Sequence, residues 1–266
     1  MTHTLYKIVI LLMFISVAAK PGFTEDASKP EVNPIEPEAM SILMNMAQNL
    51  STTEKIKAKI KTGYDAVQAD GQKIEFGSIR TVKFKRPNLC RVDITERDGT
   101  EKGIVFDGTD IVAFDKEEKI YAKAPKPGTC DDALDYLKNE IQIHEFPLSE
   151  LFSAKLPEHL KEIITEGYVV GESRIGDTPV SHLAFRSDEV DVQLWIDTKK
   201  NLPKKIIISY KNHVENPQFW AYFKEWDLSP RLTDSNFKFE PPKDFEKIPF
   251  STVKIMKEGE NTDDKK

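Results

Sequence analysis

The sequence predicts an α+β fold: one wide, curved antiparallel sheet, a half-closed shell whose concave face is covered by helices. Three observations predict it. Apolar residues alternate with period two after Ile56 and again after Gly167. Turn signals separate these runs at roughly ten-residue spacing, the pattern of an antiparallel meander of about ten strands. Two helical patterns, one ahead of the strands and one between the two groups, supply cover for a face that so wide a sheet must bury as it curls. With 15 Phe, 7 Tyr and 3 Trp in 266 residues, the chain has the apolar mass for such a core, which excludes wholesale disorder.

The chain opens with MTHTLYK, the apolar run IVILLMFISVAA and then KPGFTEDAS. Those twelve residues rise only about 18 Å as a helix, short of a bilayer core of roughly 30 Å. A basic residue, Lys7, before the run and small residues after it read as a signal peptide over residues 1–24, with an uncleaved anchor as the alternative. Export through a cleaved signal peptide places the mature chain in the periplasm. Residues 25–36 mix acids with prolines and read as a linker. The folded domain is expected over 37–256, and the charged segment 257–266 reads as a disordered tail. Formal charge is −6, and loss of Lys7 and Lys20 with the leader makes the mature chain more acidic still. That balance argues against nucleic-acid binding and against adhesion to anionic lipid by charge alone.

Pro37 opens a helix, as proline suits a first turn. Met40, Leu43, Met44, Ala47 and Leu50 follow helical spacing, and their methionines suit either a docked helix or a lid over an adaptable apolar groove. Thr81–Lys85 and Leu89–Ile94 alternate as strands, with Cys90, Val92 and Ile94 on one face and Arg86-Pro87-Asn88 breaking the ladder between them. Gly71, Gly99 and Gly108 each follow an aspartate, which marks hairpin turns. Residues 129–164 interrupt the strands. Asp131 or Asp132 is expected to cap a helix carrying Ala133, Leu134, Leu137 and Ile141. Leu148, Leu151 and Phe152 belong to a second short helix, and 159–164 to a third turn. Strands resume over 167–172, 180–186, 190–197, 204–211, 219–228 and 237–239. In the aromatic stretch Phe219–Trp226, alternation puts Phe219 and Phe223 on one face and Trp220, Tyr222 and Trp226 on the other.

Catalytic signatures are missing. There is no GxSxG, P-loop or CxxC, and the five histidines show no HxxxH spacing. His182 sits in a strand beside Ser181, which therefore points to the opposite face. No metal, cofactor or catalytic residue is expected. Cys90 and Cys130 could form a disulfide in an oxidising compartment, or stand as two unrelated buried thiols. Arg91 and Asp93 share a face and are expected to pair or meet solvent.

The stretches PEAMSILMNM, FKRPNLCRVDI, FDGTDIVAFDKEEKIYAKAP, HLAFRSDEVDVQLWID, NLPKKIIISYK and WDLSPRLTDSNFKFEPP, in that order, resemble the DUF2092 family of predicted exported bacterial proteins. That family is related in fold to the periplasmic lipoprotein carriers LolA and LolB. Cys90 departs from the family's common pattern. The resemblance implies a LolA-like half-barrel, whose cavity in the carriers holds acyl chains. The expected function is an exported binding protein for a hydrophobic ligand, a lipid or a lipoprotein acyl chain. The alternative is an envelope interaction or sensor module on the same fold. The expected cavity wall comprises Val92, Ile94, Phe106, Phe114, Leu194, Ile196 and Phe223, with Met40, Leu43 and Met44 from the lid helix. Expected partners are the acyl chain, an envelope protein and, transiently, a membrane.

Overall fold

In a computed structural model the described residues are 34–139 and 148–250. The leader, most of the linker, the 257–266 tail, and Ile141 of the helix expected after Asp131 or Asp132 lie outside them.

Helix α1 spans Pro37–Thr52, and its proline sits in the first turn. Glu36 anchors that turn: its N–H donates to the Gly167 carbonyl at 2.8 Å, and its Oε2 accepts from the Val169 N–H at 2.9 Å. The buried stripe is Ala39, Leu43, Met46, Ala47 and Leu50. Met40 and Met44, expected on this stripe, are only half-buried beside it. Two alanines, one turn-pair apart, let the helix approach closely along the Ala39–Ala47 line, which rotates Met46 inward instead.

Strands β1 (Lys55–Val67), β2 (Lys73–Lys85), β3 (Leu89–Glu96), β4 (Glu101–Phe106), β5 (Asp110–Asp115) and β6 (Ile120–Pro125) form a first meander. Gly71, Gly99 and Gly108 turn three of its connections at φ of +85°, +95° and +91°, a region glycine enters without strain. Helix α2 (Cys130–Asn139), a 3₁₀ turn (Ser149–Phe152) and helix α3 (Leu156–Ile163) follow. A second meander comprises β7 (Glu166–Ile175), β8 (Thr178–Arg186), β9 (Val190–Asp197), β10 (Pro203–Tyr210) and β11 (Gln218–Asp227). The chain ends, among the described residues, with a 3₁₀ turn (Asp234–Phe237) and β12 (Glu246–Ile248).

All twelve strands join one open curved sheet in the order β12-β6-β5-β4-β3-β2-β1-β11-β10-β9-β8-β7. The meanders meet where β1 pairs antiparallel with β11. Pairing is antiparallel throughout except for β12, which runs parallel to β6. The fold class therefore matches the expectation, and three local features differ from it. Residues 237–239 are not a strand. The Thr233 and Asn236 side chains and backbones cap each other and bend this segment into the 3₁₀ turn. Helix α2 is capped two or three residues earlier than expected, by Thr129, whose Oγ1 accepts from the Asp132 N–H at 3.2 Å while the Asp132 carboxylate accepts from the Thr129 N–H at 2.8 Å.

The third difference is a bulge in β11. Ile60 pairs with Phe223, yet Lys59 pairs with Glu225, which leaves Lys224 extra. One inserted residue inverts the alternation beyond it. Trp226 therefore lies on the same face as Phe223, with their rings stacked 5.0 Å apart, rather than opposite it. Its Nε1–H donates to the Pro203 carbonyl at 2.9 Å.

Candidate functional site

The concave face is set by strand register. Phe84, Cys90 and Phe106 align across β2, β3 and β4, as do Val82, Val92 and Ile104. On the other half of the sheet, Leu194, Ile206 and Ala221 align across β9, β10 and β11. Opposite stand Met46 of α1, Leu134 and Leu137 of α2, and Leu156 and Leu160 of α3. The helices do not fill the space. A cavity of about 1260 Å³ remains between them and the sheet, larger than the roughly 300–1,000 Å³ of small-molecule sites.

Of the residues expected on the wall, Val92, Ile94, Phe106 and Leu194 line this cavity. Phe114 borders it, but its ring stacks on Phe239 at 4.4 Å on the convex side. Ile111 and Ala113 take the inward positions of β5, and period two turns Phe114 outward. Leu43, Ile196 and Phe223 are buried in the core cluster and are not among the residues that line the cavity. Met40 and Met44 do not line it either, and Met46 is the α1 methionine that reaches it. Ile104, Ile111, Ile206, Ile208 and the α2 leucines were missed. The alternation of β4 and β10 contained the signal for the strand residues.

The two ends of the cavity differ in chemistry. Phe84, Cys90, Phe106 and Ile111 lie toward the end where β2–β3 and β4–β5 turn. Toward the opposite end, where β1–β2, β3–β4 and β5–β6 turn, polar residues enter the same face. Arg80, Ile94, Lys102 and Asp115 share one row, and Thr62, Ser78 and Glu96 share the next. Buried Thr62 and Ser78 satisfy each other, Oγ1 to Oγ at 3.1 Å, and Arg80 Nε donates to Ser78 Oγ at 3.3 Å. Burial pushes the Glu96 carboxyl up from its ordinary value, and Lys102 and Arg80 pull it part of the way back. Tyr64 also faces the cavity, and its buried Oη has no hydrogen-bond partner among the described residues.

Cys90 and Cys130 are buried free thiols. Their side chains are hydrogen-bond partners, and that bond together with burial pushes the Cys90 thiol well above its ordinary value. The Cys130 N–H donates to the Pro87 carbonyl at 2.8 Å, which fixes the start of α2 against the β2–β3 turn. Arg91 Nε meets Asp93 Oδ1 at 2.7 Å, and Lys83 meets the other oxygen at 3.2 Å. His182 stacks on Trp195 with ring centroids 4.1 Å apart and reaches Gln193 Oε1 at 3.2 Å. Among the described residues no group of three or more His, Cys, Asp or Glu could hold a metal ion.

The DUF2092 family profile, described as a predicted periplasmic protein, matches residues 39–251. This chain belongs to the DUF2092 family. No curated protein matches its sequence. Among solved structures, this DUF2092 chain is similar to MucB at 16% identity, covering 78% of this chain and 65% of that one with a TM-score of 0.44. It thus spans less than two thirds of the MucB chain. It is also similar to LprF from Mycobacterium bovis at 10% identity, covering 80% and 100% of the two chains with a TM-score of 0.46. A LolA superfamily protein from Nitrosomonas europaea is 13% identical, with 76% and 97% covered and a TM-score of 0.38.

Proposed function

We propose that this DUF2092 protein is an exported periplasmic binding protein, released by cleavage of its signal peptide, that holds a lipid or lipoprotein acyl chain between sheet and helices. The observation that carries the reading is the cavity of about 1260 Å³ with an apolar floor. Binding is passive: helices part, the chain enters and water leaves. Burial of about 14 methylenes at about 0.8 kcal/mol each yields roughly 11 kcal/mol gross. Association and ordering costs remove several kcal/mol, which leaves reversible binding. No chemical step is required of the protein. In the periplasm, Cys90 and Cys130 pair as a disulfide that holds α2 against β3.

Uptake of a fluorescent fatty acid tests the reading. Val92→Asp and Ile208→Asp, at half-buried wall positions, are expected to weaken uptake at least tenfold, because a charge in the wall opposes apolar burial. Trp220→Ala, on the convex face, is expected to leave it unchanged. Equal uptake by all three variants contradicts the assignment of the cavity.

A second reading is an envelope interaction module. It is favoured by the convex face, where Lys205 lies 4.5 Å from the Trp195 ring and 5.1 Å from the Tyr222 ring, and Lys61 lies 5.9 Å from that of Trp220. Under this reading Trp220→Ala weakens crosslinking to a protein partner and spares fatty-acid uptake.

A further inference from the structure

The wall of the cavity is graded, and the grading selects a head group as well as a tail. From Phe84 to Arg80 along β2 is four residues, about 13 Å of strand. The hydrocarbon of one leaflet, half of a bilayer core of roughly 30 Å, is about 15 Å deep. An acyl chain whose end rests at the Phe84–Phe106 level thus brings its polar junction to the row of Arg80 and Lys102. Both of these cations line the cavity. Asp115 shares their row, with its Oδ1 taken by the Glu117 and Glu118 N–H groups, and toward the turns beyond that row the lining carboxylates are Asp65, Glu96, Glu118 and Glu189, while Glu150 also lines the cavity but is paired with Lys138. The order along the wall is therefore apolar, then a row of two cations against one carboxylate already engaged by its own turn, then anionic.

We propose that the ligand is a zwitterionic aminophospholipid or its lyso form, with its phosphate at the Arg80–Lys102 row and its ammonium at the acidic rim. This rests on the lipid-binding reading above and names the lipid. A zwitterionic phospholipid carries its charges in the matching order, with phosphate next to the acyl chains and amine outermost. Guanidinium is the side chain best shaped for phosphate oxygens. Tyr64 Oη, buried and without a partner among the described residues, is a further group for the head to bond, since a buried hydroxyl is stabilised by acquiring a partner. A free fatty acid or phosphatidylglycerol satisfies the cationic row but leaves the acidic rim unmatched, and like charge at close range is costly.

The test uses the purified mature protein and two probes with one palmitoyl chain each, lysophosphatidylethanolamine and lysophosphatidylglycerol, titrated by native mass spectrometry and tryptophan fluorescence. At low ionic strength the ethanolamine probe is expected to bind about tenfold tighter, with the gap closing as salt is added. Glu96→Lys with Glu189→Lys is expected to abolish or invert the preference while the glycerol probe still binds, which also shows that the variant is folded. Arg80→Leu is expected to weaken both probes by a similar factor and to spare hexadecanol. Equal or tighter binding of the glycerol probe by the wild type, or a preference that survives the double charge reversal, overturns this proposal and leaves the acyl-chain reading standing. Failure of both probes and of hexadecanol to bind overturns both.

Discussion

Single side chains show how narrow the tolerances are. Gly103 faces the convex side of β4, and a Cβ there would lie 2.5 Å from the Phe114 ring and 2.9 Å from the Val92 carbonyl oxygen. Phe114 is already held against Phe239, so the ring cannot retreat. Gly103→Ala is expected to lower the unfolding free energy by about 1–3 kcal/mol, the usual cost of overpacking, read as a lower urea midpoint. His182 gives a pH dependence. Burial lowers its pKa, Lys205 lowers it further, and the Gln193 contact opposes both. The folded state thus prefers the neutral ring, while the unfolded chain protonates near pH 6.5. Stability from this site is complete above that pH and is lost as pH falls through the lower folded value. Melting curves between pH 7.5 and 5 should show a steeper acid loss for the wild type than for His182→Gln. The sequence made the neighbours of such residues hard to read. Alternation assigned the face of Val92 and Ile94, but nothing local to β9 announced that His182 would lie on Trp195.

At the scale of elements, the strand runs were legible because period two and the Asp-Gly turns agree on the same boundaries. Two things were not. The extra residue at Lys224 is invisible in the sequence, because a bulge changes pairing without changing composition, and so Trp226 was assigned to the wrong face. The rotation of α1 was also hidden, since Met44 and Met46 are equally apolar and only the partner sheet chooses between them. Arg86 shows what holds the helices to the sheet. Its guanidinium donates to the carbonyls of Thr53 at 3.1 Å, Leu50 at 3.3 Å and Phe152 at 2.8 Å, which serves the unsatisfied end of α1 and the 3₁₀ turn together. Arg86→Ala is expected to cost at least about 1.5–3 kcal/mol in urea unfolding, the scale for losing charged hydrogen bonds, and to speed exchange of the amide protons of α1. The Cys90–Cys130 pair is a second tie. Protein isolated from the periplasm is expected to weigh two hydrogens less than the reduced chain, and reduction should remove about 2–4 kcal/mol of stability. An unchanged mass after isolation contradicts the pairing.

For the whole molecule, the outline was readable because a sheet this wide has to cover a face, and the helix opening at Pro37 and the interruption of the strands at 129–164 were placed to do it. How completely they cover it was not readable. Whether a hollow persists depends on the rotation of α1 and the stand-off of α2 and α3, and neither is encoded in a hydrophobic pattern. Five of the expected wall residues went to the helix–sheet contact or onto α1 beside it for the same reason: core and cavity lining share one composition and differ only in what stands opposite.

The account stands on that hollow being occupied by a hydrocarbon chain. Native mass spectrometry of the protein released gently from the periplasm, without detergent, addresses this most directly. The predicted result is a population carrying a non-covalent adduct with the mass of a lipid or lipoprotein acyl species, lost on collisional activation and absent from Val92→Asp. Repeated recovery of the lipid-free chain alone, together with no uptake when lipid is supplied afterwards, would contradict it.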